Sequence, residues 1–319
     1  MKAVLTFGIY TVEQYARARG KRHLSGASVS YGLLKIGDNP TEQEISRFED
    51  ISLIFCTSNG TRRTTCRQRM QDVDAATLEL LQRCHQQRAD LLMQDRGASS
   101  CLTSAEFAGC LFRAFPYATL EASDRLLWVF RISLAKGKAY IIEPDGELLQ
   151  YICPPFVVSL NAYKPERSPL RRIIAAQGKR FFRQLCFPKV CRTHKIDQIS
   201  CIHPEAVSLS KKDSRFQIRM RSVFEQSSGL DVLRTMNVLN KDYFPIQKLL
   251  EGVHAAFQSL KPGGLWIVGR TLEDQTNHVT FLRRTEKQFE VAARIGKGSE
   301  IEELALRHLP SLARTGLDL

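Results

Sequence analysis

The sequence predicts an α/β protein: a doubly wound sheet with a β-hairpin insertion, an antiparallel strand pair at its C-terminal end and a helical segment before it. Three observations predict this. From about residue 88, short apolar runs alternate with amphipathic stretches of helical period, as strands joined by helices in a mostly parallel sheet require. Between residues 126 and 155 three β-like runs are separated by turn sequences alone. The last two runs, 278–285 and 288–295, have only Glu286-Lys287 between them and so pair antiparallel.

The 319 residues suffice for a sizeable core, and the 43% hydrophobic and 25% charged content is that of a soluble globular protein. No apolar run approaches the roughly 18 residues of a membrane helix, so no membrane partner is expected. The N-terminal stretch lacks a small-residue cleavage signature and reads as structure. Nine cysteines, an odd count without framework spacing, fit buried thiols in a cytoplasmic setting. Cys186, Cys191, His194, Cys201 and His203 match no standard zinc spacing, and no metal is expected.

Residues 1–87 read as mostly helical, and this segment is expected to lie over the active site as a lid. A short helix starts at 10–18, and 41–51 opens with Thr41 and Glu44 at capping-box spacing. Between these helices and a third at 72–87, residues 52–70 hold a strand, an Asn59-Gly60 turn and an arginine-rich loop. The sheet domain, 88–319, starts with the strand 89–95, the helix 102–115 and the strand 117–124, which ends in Asp124. An insertion at about 126–195 holds the hairpin runs 126–133, 138–143 and 148–155 and a basic helix. Then come the strand 197–202, a helix from 203 to 212, the strand 216–224, the run 230–239, a helix at 244–260 and the strand 263–270. Ser299 and Glu302 form a capping box for the last helix.

The net charge of +13 is concentrated. Residues 164–195 hold ten Lys and Arg against one Glu. Such a segment suits a polyanionic partner, nucleic acid included, or a phosphate-bearing substrate, or is a solvated helix face. Read as a helix, it turns Ile173, Ile174, Phe181 and Phe182 toward the protein. Arg171, Arg172, Lys179, Arg180 and Arg183 then face solvent, and Gly178 weakens the middle.

The chemistry is carried by three motifs. "HAAFQSLKPGGLWIVGRT" runs a helix into Leu-x-Pro-Gly-Gly and then a strand; Pro262 stops the helix, and Gly263 and Gly264 permit a tight reversal. "LDVLRTMNVLNKDYF" precedes it, and "QDRGASSC" links the first strand to its helix. Together these resemble class I S-adenosylmethionine-dependent methyltransferases, and 230–244 also resembles the corresponding part of chemotaxis-receptor glutamate methyltransferases. The resemblance covers roughly 88–295 and implies a Rossmann-like methyltransferase sheet with S-adenosyl-L-methionine as cofactor. The family's Asp/Glu-x-Gly-x-Gly-x-Gly stands here as Asp95, Gly97, Ser99 and Cys101, so the last two depart from glycine. By the same likeness Asp124 takes the ribose hydroxyls, and Ser222 lies near the adenine. Acceptor-facing residues follow the fourth strand: Arg234, Asn237, Asn240 and Tyr243, with Asn237 the best single choice. His203, at a strand mouth before Pro204, is a candidate base, and His278 a weaker one. An oxygen or nitrogen of a small molecule is the expected acceptor. A fold retained without cofactor affinity, or a nucleic-acid-directed enzyme using 164–195, are the alternatives.

Overall fold

The computed structural model describes residues 7–19, 28–63, 65–84, 90–160, 166, 168–184 and 194–307. Its helices are α1 (Val12–Ala18), α2 (Glu42–Ile54), α3 (Gln71–Cys84), α4 (Leu102–Ala114), α5 (Pro169–Gln184), α6 (Pro204–Lys212), α7 (Ile246–Ser259) and α8 (Glu302–Arg307). Its strands are β1 (Leu92–Arg96), β2 (Thr119–Asp124), β3 (Trp128–Ser133), β4 (Ala139–Ile142), β5 (Leu148–Cys153), β6 (Phe156–Ser159), β7 (Ile196–Ser200), β8 (Phe216–Met220), β9 (Leu230–Met236), β10 (Leu260–Thr271), β11 (Asn277–Arg284) and β12 (Phe289–Ile295). They form two compact units, one from Met1–Thr65 and Leu126–Pro204, the other from Cys66–Arg125 and Glu205–Leu319. Helices α1 and α2 fall in the first unit and α3 in the second.

The first unit is a five-stranded antiparallel sheet in the order β6-β5-β4-β3-β7. It contains the expected hairpin runs and is larger. The strand expected at 197–202 belongs to it, as the edge strand β7, and not to the parallel sheet. Only Ile199 of β7 is buried, as suits a one-sided edge strand and not a parallel strand covered on both faces. One sheet face packs Val129, Ile141, Leu149 and Ile199 against Tyr15, Phe48, Ile51 and Phe55. Helix α2 has the expected capping box, Thr41 Oγ1 accepting from the Glu44 amide and Glu44 returning to Thr41. Residues 52–54, expected in a strand, are its last turn. The helical spacing of Phe48, Ile51 and Phe55 aims all three at one core. Cys56 keeps only a single bridge to Arg62 around the Asn59-Gly60 turn.

The other face packs Ile132, Tyr140, Ile142, Tyr151 and Val158 under α5. Gly178 is a packing residue rather than a weak point: a Cβ there would lie 2.7 Å from the Tyr151 ring, and its carbonyl accepts a 2.8 Å bond from the Tyr140 hydroxyl. This close seat fixes the rotation of α5 and reverses part of the expectation. Arg171 is buried, its guanidinium on Glu166 at 2.7 Å and on the Val157 carbonyl, while Ile173 and Phe181 are exposed.

The second unit is a seven-stranded sheet in the order β12-β11-β10-β9-β1-β2-β8. From β10 to β8 all pairings are parallel; β11 and β12 are antiparallel, as expected. The register puts Gln94, Glu121, Gln217, Leu233 and Trp266 on one face. Leu233 and Trp266 are covered by α7, through Leu249, Val253 and Ala256. Over β1, β2 and β8 this face is polar instead. The connection from β8 to β9 is residues 221–229, shorter than the dozen or so residues of an ordinary helical crossover. The wholly buried Arg96 holds this connection, donating to the Glu225 carbonyl, Ser227 Oγ, Ser259 Oγ and Gln94 Oε1.

Helix α7 ends at Ser259, and the Lys-Pro-Gly-Gly stretch is an irregularity within β10, where the register slips between Leu260 and Leu265. Gly263 has φ +84°, and a Cβ on Gly264 would lie 2.9 Å from the Lys261 carbonyl oxygen, so both glycines are required. The capping box expected at Ser299 is not formed. Glu302 is bound to Arg294 and Thr280, and the Ser299 amide donates to Thr280 Oγ1 at 2.8 Å.

Candidate active site

The order β8-β2-β1-β9-β10 is that of a doubly wound sheet whose connections reverse direction between β1 and β9. Ligands of such sheets bind outside the carboxyl ends of the strands at that reversal. The loop leaving β1 runs there from Gly97 to Cys101. Its backbone is left-handed at Gly97 (φ +75°), Ser99 (+55°) and Cys101 (+61°), every second residue. This is glycine's conformation, and two side-chain-bearing residues adopt it at about 1–2 kcal/mol each. The Cys101 side chain gives no cap to α4, so it faces the core, wholly buried. The Ser99 amide donates to Asp124 Oδ2 at 2.8 Å, and the Ala98 amide to the Ser123 carbonyl, which ties the loop to the end of β2. Gly97 lies against Val238: a Cβ would come within 2.8 Å of that side chain.

On the other side of the reversal, Asn237 directly follows β9 with φ +62°, which asparagine tolerates better than most residues. Its Oδ1 accepts from the Thr271 amide at 2.7 Å, and its Nδ2 approaches Thr271 Oγ1 at 3.5 Å. Thr271 Oγ1 continues to Asn277 Oδ1, and Asn277 Nδ2 donates to Asp72 and to the Arg69 carbonyl. The 66–70 loop is thereby fixed to β11. Asn240 accepts from the amides of Asp242 and Tyr243, Arg270 pairs with Asp242 at 2.9 Å, and Tyr243 is part-exposed. The Arg69 guanidinium lies within electrostatic reach of the Tyr243 phenol and the Cys66 thiol, and burial lowers its pKa.

Asp95 and Arg234, both named from the sequence, are committed to each other beneath this surface. Arg234 is buried between Asp95 and Asp74, donating to Asp74 at 2.7 Å, and lies over the Phe107 ring. Asp95 also accepts from Ser104 Oγ at 2.6 Å. One positive and two negative groups are packed together, Arg234 and Asp95 buried and Asp74 largely so. Burial therefore pushes the Asp74 carboxyl up to about 7 against the pull of Arg234. Asp74 was legible only as an acidic residue early in a helix, but an arginine inside a strand as apolar as 230–236 signals a buried partner.

Ser222, His203 and His278 each have partners of their own. Ser222 heads a turn, its Oγ accepting from the Phe224 amide and its amide donating to Glu225. His203 belongs to the first unit, buried against Phe48 with Nε2 at 3.1 Å from Glu49. His278 Nδ1 accepts from the Lys297 amide at 2.8 Å. Cys186 and Cys191 lie outside the described residues.

The fold and the strained reversal thus define a doubly wound α/β domain. No family model and no curated protein matches the chain. Among solved structures it is similar to the S-adenosylmethionine-dependent methyltransferase SibL in its apo form, at 12% identity and TM-score 0.30, covering 65% of this chain and 38% of that one. It is also similar to a putative methyltransferase from Methanococcus maripaludis, at 9% identity and TM-score 0.31, covering 74% and 68%. A third is the magnesium protoporphyrin IX methyltransferase ChlM from Synechocystis PCC 6803 with bound SAM, at 10% identity and TM-score 0.31, covering 80% and 71%.

Proposed function

We propose that the second unit binds S-adenosyl-L-methionine at the carboxyl ends of β1 and β2 and methylates an oxygen or nitrogen of a small molecule held beyond β9. The observation that carries this reading is the gathering of three left-handed, non-glycine residues, Ser99, Cys101 and Asn237, around the sheet reversal. Strain of that kind persists where the surrounding structure and the function demand it.

The residues present fit the cofactor. The Gly97–Cys101 loop holds the backbone of a glycine-rich loop, and Asp124, tied to that loop through the Ser99 amide, supplies a carboxylate at the end of β2. Asp95 serves from below, as the partner that holds Arg234, and Ser222 has its amide in a turn. The cofactor supplies an electrophilic methyl group. The protein's own work is then to hold the acceptor in line with it. Asn237 Nδ2 is the donor that would orient that acceptor, with the part-exposed Tyr243 of the same loop as a second candidate. A carboxylate oxygen is among the acceptors this allows, in keeping with the likeness of 230–244 to chemotaxis-receptor enzymes.

Calorimetric titration with S-adenosylmethionine tests the reading. Wild type is expected to bind, and Asp124→Ala to bind about tenfold to a hundredfold more weakly, the loss of a hydrogen bond to a charged group. No binding by a folded wild type would leave the other reading, a binding protein that keeps the fold, which the Cys101 departure favours.

A further inference from the structure

We propose that the first unit docks peripherally on anionic phospholipid surfaces through the outer side of α5. This helix carries three stripes along its 16 residues, roughly 24 Å. Arg171, Ala175 and Gly178 form the buried stripe, seated on β5 and β6 by the Glu166 ion pair and the Tyr151 contact. A basic stripe holds Arg172, Lys179, Arg180 and Arg183. Beside it Leu170, Ile173 and Phe181 stand in water, 41%, 56% and 62% exposed, within about 80° of one another around the helix axis.

Each stripe alone is ordinary; their adjacency is what chooses the occupant. Nucleic acid would use the arginines and leave the apolar line in water, since its outer surface is phosphate. A lipid surface with acidic headgroups meets both stripes at once, taking Leu170, Ile173 and Phe181 into the headgroup boundary while the arginines stay at phosphate level. Tight seating on the sheet makes the helix a preformed ligand, with no folding cost on binding. No described helix is long and apolar enough to cross a membrane, so the docking is on the surface.

The test is co-sedimentation of the full chain with vesicles of phosphatidylcholine alone and of phosphatidylcholine with about one-third phosphatidylserine. Binding to the acidic vesicles only is expected. Arg180→Gln/Arg183→Gln should weaken it about twenty-five-fold, roughly fivefold for each charge. Ile173→Ser/Phe181→Ser should abolish it with an unchanged circular dichroism spectrum and melting temperature, and Phe181→Leu should retain it. Three results overturn the proposal: no sedimentation of wild type with acidic vesicles, binding indifferent to Ile173 and Phe181, or tight RNA or DNA binding by the same arginines in place of vesicle binding. None of these depends on methyl transfer, so the proposal stands or falls apart from that reading.

Discussion

At single positions, the second unit is governed by where a side chain is allowed. Gly97 has both a left-handed backbone and Val238 at its face. Gly146, in the first unit, has φ +89° and nothing within 4 Å of where a Cβ would stand. Gly146→Ala should therefore cost only the backbone share, about 1–2 kcal/mol. Gly97→Ala should cost about 1–3 kcal/mol more, from overpacking against Val238. Urea unfolding of both variants checks this, and equal losses would remove Val238 from the account. The same contact makes any bulky residue at Gly97 a poor probe of cofactor binding. Arg234→Met leaves Asp74 and Asp95 buried without their cation and should cost about 3–5 kcal/mol. Asp74 adds a pH dependence. Its carboxyl is raised in the folded protein from 3.8 to about 7, so the folded state holds a proton that the unfolded chain has released. The stability it confers is full below the ordinary value and is lost as the pH rises through about 7. Asp74→Asn should flatten that slope; identical slopes for variant and wild type in urea unfolding between about pH 4 and 8 would exclude it.

Among the elements, α5 shows how a propensity is overruled by packing. Glycine inside a helix ordinarily costs about 1 kcal/mol relative to alanine, which is how Gly178 reads in the sequence. With the Tyr151 ring 2.7 Å from where a Cβ would stand, Gly178→Ala should instead destabilise by about 1–3 kcal/mol. A variant more stable than wild type in thermal unfolding would show that the seat is loose. The period of Ile173, Ile174, Phe181 and Phe182 announced an amphipathic helix but not which side is buried, because that was decided by a contact with Tyr151, far away in the chain. Arg96 was hidden for the same reason. Its partners at Glu225, Ser227 and Ser259 come together only when the crossover lies across β1. The strands β1, β2, β9 and β10 were legible because each lies between turns or amphipathic helical stretches. Strand β7 was legible as a strand, but its sheet was not, since pairing direction leaves no local mark.

Across the whole molecule, the loop at the sheet reversal was readable from Gly97, Ser99 and Cys101, while the left-handed backbone retained without two of its glycines was not. Sequence alone also could not say that Asp95 turns inward to Arg234. Burial sorts six of the cysteines: Cys56, Cys101 and Cys201 are buried, and Cys66, Cys110 and Cys153 are only partly so. Brief maleimide labelling of the native protein, read by peptide mass spectrometry, should mark the second three before the first. Early modification of Cys101 would mean that the loop opens readily.

The first unit is composed of two separate stretches of chain, and this sets an order of events on the ribosome. Phe48, Ile51 and Phe55 emerge early, yet Val129, Ile141, Leu149 and Ile199, which cover them, belong to residues synthesised later. Translation at about 5–20 residues per second puts a delay on the order of ten seconds between the two. Throughout that interval the apolar side of α2 lacks the sheet that covers it in the folded protein, which suits a chaperone that binds early and lets go once β7 has emerged.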